Sequence, residues 1–481
     1  MKLYTRLLAA LLLLGLSSCS EKILNEIDTN PNQLNDAPLS TLLPQATVTT
    51  LFQTSGSITA SGAGIMAELY TLTDVSSQVQ SYIQIYGNGS WDGSYIALRN
   101  YAEVRQKAEA EQKWGYVAVA DILSAYTLSM LVDLFGDVPY AQALKGAANR
   151  QPTFDKAQDL YPEMLRLLDS GIQNADKATV ATQRPGKDDL IFGGNMALWK
   201  KTANGLKARL FNRLSNTDPS GTAQKALAAI DGSFAANETF AATFYTTIPA
   251  NANPMANAQF NQSTVAVGNG IVAAMRSFLD DGEDVLADPR AAIWFTRIGG
   301  KVVPAPNGRA STDVTIAGTL YSKPQHLRER AAPQPLLTPV ELKFIEAECQ
   351  LRLGDRAKAY AAYETALRAA LAQAAQFNPA AALSAAQINA YLARPKVLPG
   401  AATLTLEQII AQKYIYFFVF QPIEAYNDLR RTAFLKTTDP DGTPKRIPVP
   451  DSERGRNASA PTIINERTMY EDIARLFWAK L

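Results

Sequence analysis

Cysteine and histidine are almost missing from this 481-residue sequence, which contains Cys19, Cys349 and a single histidine, His326. A zinc site of the common type takes about four cysteine or histidine ligands, so this class of site is disfavoured. A Ser-His-Asp or Cys-His catalytic arrangement would have to use His326, for which the sequence predicts no partner. The sequence also lacks a Walker loop, a nucleotide-binding glycine motif and a zinc-protease helix.

An excess of charge of either sign is also lacking. The 46 basic and 45 acidic side chains give a net charge of +1, with no acidic or basic tail. Nucleic-acid-binding proteins carry a basic patch or a strong positive balance, so nucleic acid is not an expected partner. Hydrophobic residues make up 47% of the chain, which is enough for a large core.

The N-terminus has the form of a bacterial export signal. Lys2 and Arg6 precede an apolar run from Leu7 to Leu16, which is too short to span a bilayer. The run ends in Leu16-Ser17-Ser18-Cys19, which resembles a lipobox, the motif whose cysteine is diacylated. The alternative is an ordinary signal peptide followed by an incidental cysteine.

The lipobox predicts that residues 1–18 are a signal peptide and that Cys19 is lipidated, for example with palmitate. Anchoring by more than one acyl chain is effectively stable. Residues 19–38 are polar and rich in asparagine and aspartate, so we expect a tether between membrane and body. Cys349 then has no partner for an intrachain disulfide.

The longest hydrophobic stretch runs from Trp114 to Tyr140 and is apolar around nearly its whole circumference. Such a helix is either the central helix of a domain or a membrane span. Asp121 and Asp133 argue against a span, because each would cost about 2.5–3.5 kcal/mol near a bilayer centre. Gly136 and Pro139 predict where the helix ends. We interpret the stretch as a buried central helix.

Apolar residues at three- and four-residue spacing predict helices along most of the remaining chain. These are residues 39–53, 155–175 with the regular part starting at Pro162, 197–214, 224–230, 270–279, 339–353, 356–371, 405–431 with a kink at Pro422, and 466–478. The basic residues of the 197–214 helix are expected on a solvated or ion-paired face. The predicted fold class is all-α, with residues 39–481 as a single helical domain.

Two consecutive helices near the C-terminus form a recognisable unit. Thr338 with Pro339 predicts a capped helix start, Gly354 ends that helix, and Asp355 can cap the next. Two helices with a minimal turn and small residues between them resemble a tetratricopeptide unit. The Trp114 helix and the helix after Pro162 could form a second unit.

Residues 231–335 differ from the rest, because asparagine, threonine, glycine and proline dominate there. We expect a loop-rich insertion in this region. Residues 293–303 contain Gly299-Gly300 between two apolar runs, which predicts a small β-hairpin.

Aromatic residues beside polar loops are the candidate ligand-binding residues. Flat rings next to hydrogen-bonding loops suit stacking against sugars or peptides. The candidates are Tyr86, Trp91, Trp294 and Tyr321, and Trp91 is the one most expected to be exposed. The alternative is that these rings pack helix against helix.

The densest acidic cluster is Asp280-Asp281-Gly282-Glu283-Asp284. Paired carboxylates could hydrolyse glycosides, and several carboxylate oxygens could bind Ca²⁺. Neighbouring side chains in a turn seldom point at one substrate, so a solvated loop is the preferred interpretation. No other metal or cofactor is indicated.

Several stretches together resemble the SusD/RagB-type lipoproteins, in the order that this family has them. They are the lipobox at Cys19, Leu134–Tyr140 (LFGDVPY), Trp199 with Asn204–Arg209 (NGLKAR), Asp288-Pro289-Arg290, Glu341 with Glu346-Ala347-Glu348 and Gly354, Tyr426–Arg431 (YNDLRR), and Arg446–Pro450 (RIPVP) with Glu453, Arg454 and Asn457. The sequence departs from the family at Gln421–Ala425, where many members have an uninterrupted acidic Glu-Gly stretch. It also has only one early acid after Cys19, Glu21.

The resemblance implies a tetratricopeptide-like helical scaffold whose loops form a ligand site. It implies an outer-membrane, surface-facing lipoprotein that captures an oligosaccharide, or in some members a peptide, without catalysis. It also implies a partner, a SusC-like TonB-dependent transporter. The alternative from the residues alone is a lipid-anchored glycoside hydrolase.

Overall fold

The computed structural model describes residues 37–55, 62–72, 88–145, 149–257, 265–306, 320–435, 437, 442–465 and 467–480. The predicted signal peptide and most of the predicted tether lie outside these residues. The division into signal peptide, tether and one helical domain therefore stays a prediction.

The described residues fold mainly into α-helices, which confirms the predicted fold class. The helices of two or more turns are α1 (Leu39–Ser55), α2 (Asn88–Ala110), α3 (Trp114–Phe135), α4 (Ala157–Lys177), α5 (Met196–Arg213), α6 (Pro219–Asp231), α7 (Asn269–Arg276), α8 (Pro339–Arg352), α9 (Arg356–Ala372), α10 (Ala385–Leu392), α11 (Leu406–Phe420) and α12 (Pro422–Thr432). Single helical turns cover Ala63–Met66, Pro254–Asn257, Ala291–Trp294 and Asp451–Arg454.

Helices that follow one another pack as antiparallel pairs. In the α3–α4 pair, Tyr161 donates to Asp133 over 3.0 Å at one end, and Ser170 donates to Asp121 over 2.6 Å at the other. A tight turn at Gly354, with φ +86°, joins α8 to α9, and α5 packs on α6. Stacked helix pairs are the tetratricopeptide-like arrangement that the sequence predicts.

The helix starts follow the capping residues in the sequence. The Thr338 hydroxyl accepts a hydrogen bond from the Glu341 backbone N–H over 3.2 Å. Thr405 and Gln408 form a reciprocal capping box at the start of α11, and Asp355 caps α9. These contacts satisfy N–H groups that a helix cannot bond internally.

Two prolines set helix geometry differently from each other. Pro422 is the first residue of α12, so the predicted kink is a break that separates α11 from α12. Pro162 lies inside α4, whose regular helix begins earlier than expected, at Ala157. The expectation that the regular helix begins at Pro162 is therefore wrong.

Helix α3 is the buried central helix. It is long and apolar enough to cross a membrane, but 94% of its most hydrophobic window is buried inside the protein. Asp121 accepts hydrogen bonds from Arg105 Nε over 2.9 Å and from Ser170 Oγ over 2.6 Å. The helix ends before Gly136, whose φ is +79°. Asp121 is thus an interhelical hydrogen-bonding group, as a buried carboxylate requires.

Two small antiparallel sheets join segments that are distant in the sequence. Strand β1 (Tyr70–Leu72) pairs with β3 (Val265–Val267), and β2 (Phe240–Ala242) pairs with β4 (Gln334–Leu337). Three of these strands lie partly or wholly within the loop-rich region at 231–335, which also contains α7.

The predicted β-hairpin at 293–303 is wrong except for its turn. Its first strand is replaced by the helical turn Ala291–Trp294, and pairing is limited to a bridge between Ile298 and Lys301. Gly299 and Gly300 have φ values of +56° and +83°, which suit a tight turn. The Trp294 side chain is buried in the core. This burial favours the helical turn over the extended strand that the local sequence predicts.

The predicted C-terminal helix at 466–478 is also wrong. The described part of this segment contains only the 3₁₀ turns Thr468–Tyr470 and Asp472–Ala474. The Asn465 side chain accepts hydrogen bonds from the backbone of Arg467 and Thr468, over 3.0 and 3.2 Å. Such local side-chain bonds compete with regular helix.

Candidate functional site

A cleft of about 500 Å³ opens between α7, α11 and the residues that precede β1. We call it the α7–α11 cleft. Its volume lies within the roughly 300–1,000 Å³ that is typical of small-molecule sites. The residues that line it are Ala67, Glu68, Gly270, Ala273, Ala274, Ser277, Phe278, Lys396, Glu407, Gln408, Ala411, Tyr414, Leu429, Phe434, Leu435 and Thr437.

Glu68 is held in the cleft wall by an unusual backbone. Its φ is +58°, although it is not a glycine, and it is only 2% exposed. Its carbonyl accepts a hydrogen bond from the Ile271 N–H over 3.3 Å. Gly270 permits this close approach, since a Cβ there would lie 2.6 Å from Glu68 Cβ. Left-handed non-glycine residues cost about 1–3 kcal/mol and concentrate at binding sites.

Seven of the sixteen residues that line this cleft have polar or charged side chains, and these lie among apolar ones. The Tyr414 hydroxyl donates to the Ala67 carbonyl over 2.5 Å. Burial, reinforced by the charge of Glu68, raises the pKa of Tyr414 well above its ordinary value, so the phenol stays protonated. Lys396 Nζ donates to the Leu279 carbonyl over 2.7 Å. An apolar wall with separate polar groups suits a ligand that has both ring faces and hydroxyls.

The β1–β3 sheet and Ser322 form a second feature beside this cleft, which we call the β platform. Strand β1 begins just after Glu68, and α7 follows just after β3. The Val267 N–H donates to the Ser322 carbonyl over 2.8 Å, which holds Ser322 against the sheet. Tyr321 precedes Ser322 and is partly exposed. The fold thus places Tyr321 at the edge of the β platform.

The segments that contain Trp294 and Tyr321 are brought together. The Thr296 N–H donates to the Lys323 carbonyl over 3.0 Å, and the Gln325 N–H donates to the Trp294 carbonyl over 2.8 Å. The two aromatic side chains nevertheless have different environments. Trp294 is 1% exposed, and its Nε1 donates to the Ala374 carbonyl over 2.8 Å. In this structure Trp294 is a core residue.

The expectation that Trp91 is exposed is wrong. Helix α2 begins at Asn88, so Trp91 lies in its first turn and faces the core instead of lying in a loop. The Trp91 ring is 3% exposed and packs edge-on against Phe135 and face-on against Phe154, at centroid distances of 5.1 and 6.1 Å. Tyr86 and Cys19 lie outside the described residues.

The acidic cluster Asp280–Asp284 is engaged in local structure. Glu283 pairs with Arg394 over 2.6 Å, and this hydrogen bond lowers the pKa of the Glu283 carboxyl. Asp284 accepts a hydrogen bond from the Leu286 N–H over 2.9 Å. Within the described ranges, no group of three or more His, Cys, Asp or Glu side chains is placed to hold a metal ion.

His326 is a buried packing residue. Its Nε2 lies 3.0 Å from the Tyr70 hydroxyl, which in turn donates to the Phe418 carbonyl. The His326 ring packs on Phe418 and Phe377. Burial lowers the pKa of His326 to about 3, so the ring is neutral at physiological pH. This contact fixes β1, and with it the β platform, against α11.

Several charged residues of the family-like motifs belong to a buried ion network instead of a ligand site. Five cations and five anions take part: Arg209, Arg213, Lys413, Arg430 and Arg431 with Asp133, Glu341, Glu348, Glu424 and Asp428. Each of these charged groups except Arg430 has an oppositely charged partner within ion-pair distance, as buried charges require. Arg430 donates instead to the Asp133 backbone carbonyl and to Asn427 Oδ1. None of these described residues lines the α7–α11 cleft.

Sequence reasoning missed the α7–α11 cleft altogether. Much of its wall consists of alanines, among them Ala67, Ala273, Ala274 and Ala411, which carry no chemical signal. Glu68 looked like one acid among many, because its left-handed backbone cannot be read from residue type. One feature of the sequence could have indicated the cleft. Gly270 lies in the first turn of α7, and a glycine there allows another segment of the chain to approach closely.

Comparisons with known proteins agree with this architecture. The sequence profile of the SusD-like family, described as "Starch-binding associating with outer membrane", matches residues 31–451. No curated protein matches the sequence.

Solved structures resemble the chain over nearly its whole length. A SusD/RagB family protein from Bacteroides thetaiotaomicron has a TM-score of 0.79 at 24% identity, covering 92% of this chain and 99% of that chain. A chitin-binding SusD homologue from Flavobacterium johnsoniae has a TM-score of 0.73 at 17% identity, covering 91% and 98%. A SusD homologue from Bacteroides fragilis has a TM-score of 0.71 at 24% identity, covering 92% and 97%. At these identities the likeness shows the fold alone.

Proposed function

The chain belongs to the SusD-like family, and on this premise we propose that it is a cell-surface lipoprotein that binds an oligosaccharide and delivers it to a SusC-like TonB-dependent transporter. The observation that carries the proposal is the profile match across residues 31–451, since this family is described as starch-binding and associated with the outer membrane. The lipobox at Cys19 supports a lipid anchor on the same membrane.

The α7–α11 cleft and the edge of the β platform are the proposed ligand-contacting regions. Lys396 and Gln408 would supply hydrogen bonds, and Phe434 and Tyr321, which are partly exposed, would supply aromatic surface. Aromatic faces with a few hydrogen-bonding groups are the usual basis of sugar recognition. Tyr86 remains a proposed contact from the sequence alone. Trp294 packs on Phe418 of α11, and Trp91 packs in another part of the core, against Phe135 and Phe154.

The proposed role is binding without turnover. A lipid-anchored glycoside hydrolase is the alternative, and one observation favours it, because two carboxylates, Glu68 and Glu407, line the same cleft. Glycoside hydrolysis needs two carboxyl groups on either side of the scissile bond. Incubating the purified protein with oligosaccharides and measuring released reducing ends decides between the two. Release that Glu68→Gln abolishes would establish the hydrolase.

Calorimetry with a ligand panel tests the binding proposal. The panel contains maltooligosaccharides, chitooligosaccharides and an unrelated oligopeptide, because relatives are described as starch- or chitin-binding and a peptide ligand is the family alternative. We expect one oligosaccharide to bind and the peptide not to bind. Binding of the peptide alone would make this chain a peptide-binding member.

A cleft-blocking variant locates the binding site. Ala273 lies on α7, is exposed and lines the cleft, so Ala273→Trp fills the opening without disturbing the core. We expect this variant to lose oligosaccharide affinity. Ala361→Trp, at an exposed position on α9, is the matched control and should bind normally. Equal affinity in both variants would remove the cleft from the proposal.

Co-purification of the transporter with the tagged lipoprotein tests the proposed partner.

A further inference from the structure

A second cleft has a volume of about 430 Å³. It is formed where α4 begins and where the segment after residue 445 meets the C-terminal residues. Its lining residues are Asp137, Lys156, Ala157, Gln158, Asp159, Arg446, Arg475, Leu476 and Phe477. We call it the Arg446 cleft, and none of its residues lines the α7–α11 cleft.

Arg446 is the unusual residue in this cleft. Its Nε is buried without a hydrogen-bond partner. In the part of the chain that the structure describes, no carboxylate lies within ion-pair distance of its guanidinium, and no acceptor receives a hydrogen bond from it. Arg209, Arg213 and Arg431 have carboxylate partners. Arg430 has no carboxylate partner and also has a buried Nε without a partner, but its other nitrogens donate to the Lys445 and Asp133 carbonyls. Buried polar groups are almost always paired, so an unpaired one requires an explanation.

The nearest acid does not supply this partner. Asp137 Oδ2 accepts from Lys156 Nζ over 2.9 Å, and its Oδ1 accepts from the Ala157 N–H over 2.9 Å at the start of α4. Burial lowers the pKa of Arg446, and the charge of Asp137 only partly opposes this shift. Each oxygen of Asp137 thus accepts one hydrogen bond from α4 or its N-terminal flank, and neither receives one from Arg446.

The other charged groups in the cleft leave it with a positive balance. Arg475 lies 3.8 Å from Asp472, a long contact between exposed groups. Asp159 is exposed at the first turn of α4. The lining therefore contains three positively charged residues and two negatively charged ones. They are Lys156, Arg446 and Arg475, and Asp137 and Asp159.

The backbone makes room for the guanidinium. Gly136 has φ +79°, and a Cβ at this position would lie 2.4 Å from Arg446 Nη1. Any side chain there would displace Arg446 from the cleft. The end of α3 lies here and carries partial negative charge, which favours a nearby cation. The partial negative charge at the end of α3 explains why a cation is stable here, but it provides no hydrogen-bond acceptor for the buried Nε of Arg446.

We propose that the Arg446 cleft binds the carboxylate of an acidic sugar, a ligand about the size of one hexuronic acid ring. Arginine presents parallel N–H groups that match the two oxygens of a carboxylate, which a lysine cannot do. Phe477, which lines the cleft and is partly exposed, supplies apolar surface for a sugar face. The site is independent of the proposed oligosaccharide cleft, and a ligand could occupy either without the other.

Calorimetric titration with D-galacturonate and with neutral D-galactose tests this proposal. Galacturonate should bind and galactose should bind at least about tenfold more weakly, because hydrogen bonds to charged groups are the strong ones. Arg446→Gln should weaken galacturonate binding by about tenfold or more. Arg297→Gln, at an exposed arginine outside the cleft, should leave it unchanged. Equal binding of the two sugars, no binding of galacturonate, or full affinity in Arg446→Gln would each overturn the proposal.

The stability of ligand-free protein separates a binding arginine from a structural one. Removing an unpaired, partly buried charge should leave the melting temperature unchanged or raise it. We therefore expect Arg446→Gln to fold and to melt no lower than the parent. A melting temperature several degrees lower, or failure to fold, would show that Arg446 serves the scaffold and would contradict the proposal. Ala273→Trp blocks the α7–α11 cleft only, so it should bind galacturonate normally. Failure of the Arg446 proposal can therefore be distinguished from failure of the proposed oligosaccharide site.

Discussion

Arg209 on α5 and Glu341 on α8 form a buried ion pair with two parallel hydrogen bonds, Nε to Oε1 over 2.7 Å and Nη2 to Oε2 over 2.7 Å. Their side chains are 7% and 1% exposed. Arg209 also donates to the Leu336 carbonyl over 2.6 Å and to Gln421 Oε1 over 2.8 Å. One guanidinium thus joins α5, α8, β4 and the junction between α11 and α12.

The Glu341→Gln substitution should destabilise the protein strongly. It leaves the Arg209 guanidinium without its main counter-charge, and breaking a buried pair costs about 3–5 kcal/mol of the free energy of unfolding. Urea denaturation followed by circular dichroism measures the change. Asp169→Asn is the control, because Asp169 is 52% exposed and pairs with Lys207 at the surface of α4 and α5. Exposed pairs contribute about 0–1 kcal/mol. Similar losses in both variants would show that the buried pair has no special role.

The same network should make stability fall in acid. Burial alone would raise the pKa of the Asp428 carboxyl, but the charges of Lys413 and Arg431 outweigh burial and hold the pKa well below its usual value. A carboxyl with a lowered folded-state pKa stabilises the fold above its unfolded pKa, about 3.9. This contribution is lost as the pH falls below about 4, because protons then bind the unfolded chain preferentially. Burial raises the pKa of Asp133 and Glu341, which opposes the effect.

Melting temperatures between pH 7 and pH 3 test this pH dependence. The parent protein should lose stability below about pH 4. In Asp428→Asn the decrease should be smaller, since the group whose protonation causes it is gone. Asp169→Asn should follow the parent. An acid decrease of the same size in Asp428→Asn would assign the effect to other carboxyls.

Local signals predicted where several helices begin or end, but they missed α2 and α10 and wrongly predicted a helix at 466–478. The end of α3 follows from Gly136, and the starts of α8 and α11 follow from Thr338 and Thr405, because caps act within one turn of the chain. The first strand of the hairpin at 293–303 failed because the burial of Trp294 depends on distant residues such as Phe418, whose ring centroid lies 5.6 Å away.

The pattern of charged residues in the sequence does not distinguish exposed basic side chains from buried ones. On α5, Lys200 and Lys207 pair with exposed carboxylates, whereas Arg209 and Arg213 are buried. The partner that distinguishes Arg209 is Glu341, far away in the sequence, so no local pattern reveals it. The α7–α11 cleft was missed for the same reason: its walls come from segments that are distant in the chain.

The Trp91→Ala substitution should lower stability instead of removing a ligand contact. Truncating a fully packed tryptophan costs about 3–5 kcal/mol of the free energy of unfolding. The matched control is Ile96→Ala on the same helix, since Ile96 is 52% exposed and should matter little. Denaturation of the two variants gives the comparison. If Trp91→Ala keeps the parent's stability, its ring is not part of the core in solution.

The Cys19→Ala substitution should release the protein from the membrane fraction, because acyl chains on this thiol are the predicted anchor. Cell fractionation and labelling with a palmitate analogue provide the measurement. Cys349→Ala is a suitable control, since Cys349 is buried in the folded body and has no predicted role in anchoring. Retention of Cys19→Ala in the membrane fraction would contradict the prediction of a lipid anchor.

The Tyr321→Ala substitution tests the one sequence-predicted aromatic that the structure places at the edge of the β platform with part of its surface exposed. Removing an aromatic ligand contact costs about 1–3 kcal/mol of binding free energy, whereas removing a partly exposed ring should change stability little. Calorimetry with the oligosaccharide identified from the panel measures the first quantity, and thermal melting measures the second. Tyr360→Ala, at a partly exposed tyrosine on α9, controls for the loss of a surface ring. An unchanged affinity in Tyr321→Ala would remove the edge of the β platform from the proposal and leave the α7–α11 cleft and Tyr86 as the proposed ligand contacts.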